Sequence, residues 1–194
     1  MDLLLIDNND SFTFNIVEML RQISKSRFPK DKINIIIRPV ESFQVEDAAG
    51  ADKVIISPGP GLPEDYPVLF QMLDRYADSK SILGVCMGHQ VICQYFGAEL
   101  FNLGDVVHGQ PRQITITSKN TRLFDEISTM NVGLYHSWAV KNEIPEGLQV
   151  IAESVDGIVM AVQHQHYDIH AVQFHPESYI TQNGSRIFEN FLAS

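Results

Sequence analysis

Cys86 stands in Gly84-Val85-Cys86-Met87-Gly88, directly after the apolar pair Ile82-Leu83 and before a helical pattern. A strand, a sharp turn and a helix with a nucleophile at the turn form an elbow, and glycines flank such a turn because side chains do not fit there. A thiol held at a helix N-terminus gains thiolate character. Far downstream comes Phe174-His175-Pro176-Glu177. His175 titrates near neutrality and can exchange a proton with the sulfur. Glu177, two residues on, projects to the same side as His175 if the segment is extended, and can orient the ring. A nucleophile, a base and an orienting acid are the parts of covalent attack on a carbonyl. The oxyanion so formed needs donors. The Met87 N–H follows the nucleophile and points at it, and the Gly59 N–H of Ser57-Pro58-Gly59-Pro60-Gly61 is the expected second donor. One such donor is worth roughly 10²–10³ in rate.

The elements that must carry these residues alternate in the first half of the chain. Leu3 to Ile6, Ile33 to Ile37, Val54 to Ile56 and Ile82 to Val85 read as strands. Phe12 to Ile23, with Asp10 or Ser11 as N-cap, Phe43 to Ala49, Val68 to Tyr76 and His89 to Phe96 read as helices. Apolar strands between helices imply a parallel sheet. In the second half Gln113 to Thr117, Val132 to Tyr135, Leu148 to Ala152, Ile158 to Gln163 and Ile169 to Phe174 read as strands with short links, and Ser185 to Leu192 as a last helix. The expected fold is α/β: a single domain, residues 1–194, with a mostly parallel central sheet, helices on both faces and a smaller antiparallel sheet region. The clusters at Asp7 to Ser11, Ser57 to Gly61, Cys86 and His175 each follow a strand, at the edge where open α/β sheets bind ligands.

Composition excludes several classes. A net charge of −10 argues against nucleic acid as a partner. Four of the 14 basic residues lie in Ser24 to Lys32, which reads as a solvated loop between a helix and a strand. No apolar run is long enough to span a bilayer, and the N-terminus carries no signal-peptide pattern. Cys86 and Cys93 are the only cysteines and are too far apart to bridge, so reduced thiols and a cytoplasmic location are expected. His164 and His166 sit in His164-Gln165-His166-Tyr167-Asp168, which reads as a hairpin loop, and together with His170 they have no matching acidic or cysteine set, so no metal site is expected.

Gly84-Val85-Cys86-Met87-Gly88-His89-Gln90, Ser57-Pro58-Gly59-Pro60-Gly61 and Phe174-His175-Pro176-Glu177-Ser178 resemble the three signatures of class I, triad-type glutamine amidotransferases. Asp7-Asn8-Asn9-Asp10-Ser11-Phe12-Thr13-Phe14-Asn15, with Tyr135-His136-Ser137 and His108-Gly109, is similar to the glutaminase subunits of anthranilate synthase and aminodeoxychorismate synthase. The resemblance implies a flavodoxin-like fold and a thioester mechanism in which Cys86 attacks the side-chain amide of L-glutamine. It implies that glutamine is held by Gly59, Pro60 and Gly61, by the Gln90 side chain, and by the backbone at Ser137 and Trp138. It further implies no cofactor in this chain, and a hetero-oligomer with a chorismate-using synthase subunit (component I) that is Mg²⁺-dependent. Met87 and Trp138 stand where the family usually has leucine, and Gln110 where lysine is common.

The chain contains no phosphate-binding loop or second domain that could use ammonia, which is why a partner is expected to capture it. Asp10-Ser11-Phe12 is the expected contact. The rival readings are an amidotransferase for another acceptor, a glutamine-sensing module without turnover, and an unrelated cysteine hydrolase. The motif from Asp7 to Asn15 disfavours the first, and a complete Cys86, His175 and Glu177 set the second. The third would have no need of the Ser57 to Gly61 loop.

Overall fold

The structure is a computed structural model that describes residues 1–194 apart from 31, 119 and 126, with the backbone alone for 105–108. Among the described residues its centre is one mixed sheet of nine strands. Strands β1 (Asp2–Asp7), β2 (Asn34–Pro39), β3 (Lys53–Ile56), β4 (Ser81–Val85), β5 (Leu100–Ile116), β6 (Thr129–Val140), β7 (Leu148–Ser154), β8 (Val159–His164) and β9 (Ile169–Val172) lie in the order β2-β1-β3-β4-β9-β8-β7-β5-β6. The first five of that order are mutually parallel, and the rest pair antiparallel. The parallel part has the flavodoxin-like order. The antiparallel strands do not form a separate sheet; they continue the central one, joined through β8 on β9.

Strands β1, β3 and β4 are continuous apolar runs because both of their faces are covered. On one face Leu3, Leu5, Ile55 and Leu83 pack with Ile16, Val17 and Leu20 of α1 (Thr13–Arg27) and with Ile187, Phe188 and Phe191. The last three belong to the C-terminal helix Gly184–Ala193. On the other face Leu4, Ile6, Val54 and Ile56 pack with Leu69, Met72 and Leu73 of α2 (Pro67–Tyr76) and Val91 and Ile92 of α3 (Met87–Tyr95). The C-terminal helix is α4. Each such fully buried Leu or Ile contributes about 1.5–3 kcal/mol.

Several expectations need correction. The expected helix from Phe43 to Ala49 is only a 3₁₀ turn, Val45–Ala48, closed by the Asp47 carboxylate accepting the Gln44 N–H at 3.0 Å. Helix α1 is capped by neither Asp10 nor Ser11; its N-cap is Phe12, whose N–H donates to Asp10 Oδ1 at 2.8 Å. The first four residues of the basic segment, Ser24 to Arg27, are helical, since α1 runs to Arg27, and its Asp31 lies outside the described residues. Strand β5 begins 13 residues before the expected Gln113. It shifts register between Asn102 and Val107 and between His108 and Gln110, where Gly109 takes φ +65°. The side chain of His108 lies outside the described residues.

Candidate active site

Four segments leave β1, β3, β4 and β9 at one edge of the sheet, because these strands are neighbours and run the same way. After β4 the chain turns into α3 at a single residue. That residue is Cys86, with φ 52° and ψ −102°. The positive φ is carried by the cysteine itself and not by the adjacent glycines, an unfavourable geometry that the surroundings must hold in place. The Cys86 N–H donates to the Val172 carbonyl at 2.8 Å, and its own carbonyl accepts the Gln90 N–H at 3.1 Å. The glycines serve close packing. A Cβ on Gly88 would lie 2.3 Å from the Ile56 carbonyl oxygen, and one on Gly84 would lie 2.5 Å from that of Gly88.

Beside the sulfur lies a cavity of about 180 Å³ lined by Gly59, Pro60, Gly61, Cys86, Met87, Gln90, Tyr135, His136, Ser137 and Trp138. That is smaller than the roughly 300–1,000 Å³ of sites for drug-sized ligands and is of a scale for one small molecule. The residues expected from the sequence to line a glutamine site therefore meet in one place. Among the described residues, neither the Gly59 N–H nor the Met87 N–H is bonded to another group of the protein. Met87 is the first residue of α3, where N–H groups lack helical partners. Gly59 is pressed against Asn8, so that a Cβ there would sit 2.7 Å from the Asn8 Cβ. The Pro60 carbonyl accepts the Tyr66 hydroxyl at 2.7 Å, which fixes the outer half of this loop.

His175 and Glu177 lie behind the cavity wall and are almost wholly buried. Nδ1 of His175 is 2.7 Å from Glu177 Oε1. The segment is not extended as expected. It is a turn, with the Ser178 N–H donating to the His175 carbonyl at 3.2 Å, and the turn rather than strand alternation brings the carboxylate to the ring. The imidazole is boxed in by Phe12 and Tyr135, whose ring centroids are 5.1 and 4.9 Å away. Burial works against a charge on His175. The Cys86 sulfur and the Glu177 carboxylate outweigh it and hold the pKa well above the usual imidazole range.

Three further side chains, Gln173, Asn8 and His136, hold this geometry in place. Gln173 is fully buried, with Nε2 3.7 Å from the Cys86 sulfur and Oε1 accepting from Gln90 Nε2 at 3.2 Å. Asn8 clamps the loop after β3, its Nδ2 donating to the Ser57 carbonyl and its N–H to Ser57 Oγ, each at 2.9 Å. His136 donates from Nδ1 to the Trp138 carbonyl at 2.8 Å, and Gln90 Nε2 donates to the same oxygen at 2.9 Å. Burial keeps His136 neutral by lowering its pKa, and does so more strongly for His89, which falls to about 3. Both cysteines are free and buried, and Cys93 is in the core. His164 serves its own turn, its Nδ1 accepting the N–H groups of His166 and Tyr167 at 3.1 and 3.0 Å.

Fold and site together define an α/β protein with a cysteine at a strand–helix elbow and a buried His–Glu pair. The family description "Glutamine amidotransferase class-I" matches residues 4–194. A Haemophilus influenzae protein whose name assigns it provisionally to anthranilate synthase component II is 45% identical over 194 residues, covering 100% of this chain and 96% of that one. The aminodeoxychorismate synthase component 2 of Klebsiella aerogenes is 32% identical, covering 98% of each. Among solved structures, a Thermoplasma acidophilum protein whose description assigns it provisionally to GMP synthase superposes with a TM-score of 0.85 at 23% identity, over 100% of this chain and 92% of that one. That likeness is one of fold. The chain belongs to the class-I glutamine amidotransferases. Among the described residues no helix is long and apolar enough to cross a membrane.

Proposed function

We propose that this chain is the glutaminase subunit of anthranilate synthase: it hydrolyses L-glutamine through Cys86, His175 and Glu177 and passes ammonia to a chorismate-using synthase subunit in the cytoplasm. The observation that carries the reading is the single cavity shared by the Cys86 sulfur, the unbonded N–H groups of Gly59 and Met87, and Gln90.

In this reading Cys86 Sγ attacks the side-chain carbonyl carbon of glutamine, and the charge that forms on oxygen is met by the Gly59 and Met87 N–H groups. His175 gives its proton to the amide nitrogen, the C–N bond breaks, and ammonia leaves a γ-glutamyl thioester on Cys86. Water then attacks the thioester while His175 takes its proton, the C–S bond breaks, and glutamate departs. Glu177 holds the ring by its Nδ1–H throughout. Gln90, Pro60, Gly61, Ser137 and Trp138 bind and orient glutamine. Ammonia released into neutral water would be protonated and lose its nucleophilicity, so a lone glutaminase needs a partner docked at this edge. Phe12, half-exposed and packed on His175, supports that edge as the contact.

The test is labelling with a γ-electrophilic glutamine analogue in the presence of the synthase partner, with the adduct located by mass spectrometry. The expected adduct is on Cys86; an adduct on Cys93, or none, sinks the reading. With Cys86→Ala, glutamine-dependent synthesis is lost and ammonia-dependent synthesis by the partner persists, whereas loss of both would make Cys86 structural. The name of the Klebsiella relative supports a second reading, in which the same glutaminase serves aminodeoxychorismate synthase. Pairing the chain with each synthase and measuring glutamine-dependent product separates the two.

A further inference from the structure

Gln173 sits one residue past the end of β9, where the nucleophile and the substrate-facing residues meet. Its N–H donates to the Met160 carbonyl at 2.8 Å, which anchors the root of the side chain to β8. The side chain is fully buried, and a buried primary amide is costly unless both of its ends are used. Here both are used by functional groups. Nε2 points to the Cys86 sulfur at 3.7 Å, and Oε1 accepts from Gln90 Nε2 at 3.2 Å. His89, buried on α3 with its Nε2 3.6 Å from the Cys93 sulfur, backs the same amide. A neutral N–H donor gains strength when its acceptor becomes charged, so this contact favours the thiolate over the thiol.

We infer that Gln173 is a further catalytic residue, which donates an N–H to the Cys86 sulfur, favours its thiolate and couples the nucleophile to the substrate-binding amide of Gln90. The assignment rests on the glutaminase reading of this cavity. The coupling runs one way in geometry: Gln90 spends its N–H groups on Gln173 and on the Trp138 carbonyl, so its orientation is fixed before any ligand arrives. The titratable groups around the sulfur are His175, backed by Glu177, from the segment after β9, His89 on α3, and His136 and Tyr135 on β6. Of these, burial keeps His89 and His136 neutral, so His175 and Gln173 are the groups that act on the thiolate.

The experiment is the pH dependence of Cys86 alkylation by iodoacetamide on the full chain, followed by peptide mass spectrometry. Cys93 stays silent in it, being sealed in the core with its thiol pKa pushed far up by burial. Gln173→Met keeps the length and removes both hydrogen bonds. The alkylation midpoint is expected to rise by about one pH unit, with roughly tenfold slower labelling below it. Gln173→Asn keeps a polar group and withdraws it by one methylene, and the midpoint moves the same way. A folded variant with the wild-type midpoint overturns the assignment, as does failure of both variants to fold, which would make Gln173 structural. Steady-state glutaminase assays of folded Gln173→Met are expected to show kcat lowered and KM raised together; KM alone moving would overturn the link to the nucleophile. Because alkylation needs no glutamine, a wild-type chain that alkylates as expected but does not turn over glutamine with its partner would sink the glutaminase reading separately.

Discussion

Nδ1 of His175 meets the Glu177 carboxylate at 2.7 Å in a place from which water is excluded. A carboxylate buried this deeply is costly unless paired, and the pairing turns the other ring nitrogen toward the sulfur. Glu177→Gln keeps the shape but removes the charge. The expected result is a fall in glutaminase kcat of roughly 10²–10⁴-fold. His175 also loses part of what holds its pKa up, so it releases its proton earlier and the alkaline limb of the kcat profile moves to lower pH. Steady-state kinetics across pH check both effects, and an unmoved alkaline limb would remove Glu177 from the role.

Acid stability should be governed in good part by His89. Its pKa falls from 6.5 to about 3 in the fold because burial penalises the charged ring. The unfolded chain therefore binds a proton below pH 6.5 that the native chain refuses until about pH 3. Stability is full above the unfolded value and is lost as pH falls toward the folded one, with a slope of about 1.4 kcal/mol per pH unit from this residue. His89→Gln should flatten that limb between those two values in denaturant titrations at several pH values; an unchanged slope would mean the ring charges inside the fold.

The elbow glycines give a test of packing. A methyl on Gly88 would press on the Ile56 carbonyl oxygen at 2.3 Å, and a backbone carbonyl inside a central strand has nowhere to go. Gly88→Ala is expected to cost about 2–3 kcal/mol. In a chain of this size that lowers Tm by roughly 2–4 °C for each kcal/mol. Calorimetry checks it, and a wild-type Tm would mean that α3 can move away from β3 freely.

What the sequence made legible follows from where its signals are undiluted. Leu3 to Ile6, Val54 to Ile56 and Ile82 to Val85 are central strands covered on both faces, so their apolar runs are unbroken and the parallel sheet could be read directly. Cys86, His175 and the Ser57 to Gly61 loop were legible because a cysteine, a histidine and glycines stand at strand ends, whereas Gln90, Ser137 and Trp138 were reached only through the resemblance to the class I amidotransferases. Strand β5 was not, since Gly104, Gly109 and Pro111 interrupt the alternation while its pairing with β6 continues through the bulges. Glu177 was placed for the wrong reason, because a turn and a strand can both bring residues two apart to one side. Gln173 and Asn8 carried no signal of their own: an amide side chain gains meaning only from what surrounds it, and their partners Cys86 and Ser57 lie 87 and 49 positions away.

Asn8 supplies the last test, because it separates binding the loop from merely filling space. Its Nδ2 donates to the Ser57 carbonyl at 2.9 Å, and its Cβ is the surface on which Gly59 rests. Asn8→Asp is nearly isosteric but sets a carboxylate oxygen against that carbonyl, so a buried donor is replaced by a repulsive acceptor. At neutral pH the expected cost is about 2–4 kcal/mol of stability. The loop then draws back from Asn8 and takes the Gly59 N–H with it. The loss of that aligned donor should lower glutaminase kcat by roughly 10²-fold, while KM rises as Pro60 and Gly61 shift. Relative to wild type at the same pH, lowering the pH to about 5 should restore part of both stability and activity, since burial favours the protonated carboxyl and that form can donate to Ser57 again. Thermal unfolding and steady-state kinetics at both pH values distinguish the outcomes. A folded variant with wild-type kcat would show either that something other than Asn8 holds the Gly59 N–H in place or that the Met87 N–H is sufficient as the oxyanion donor.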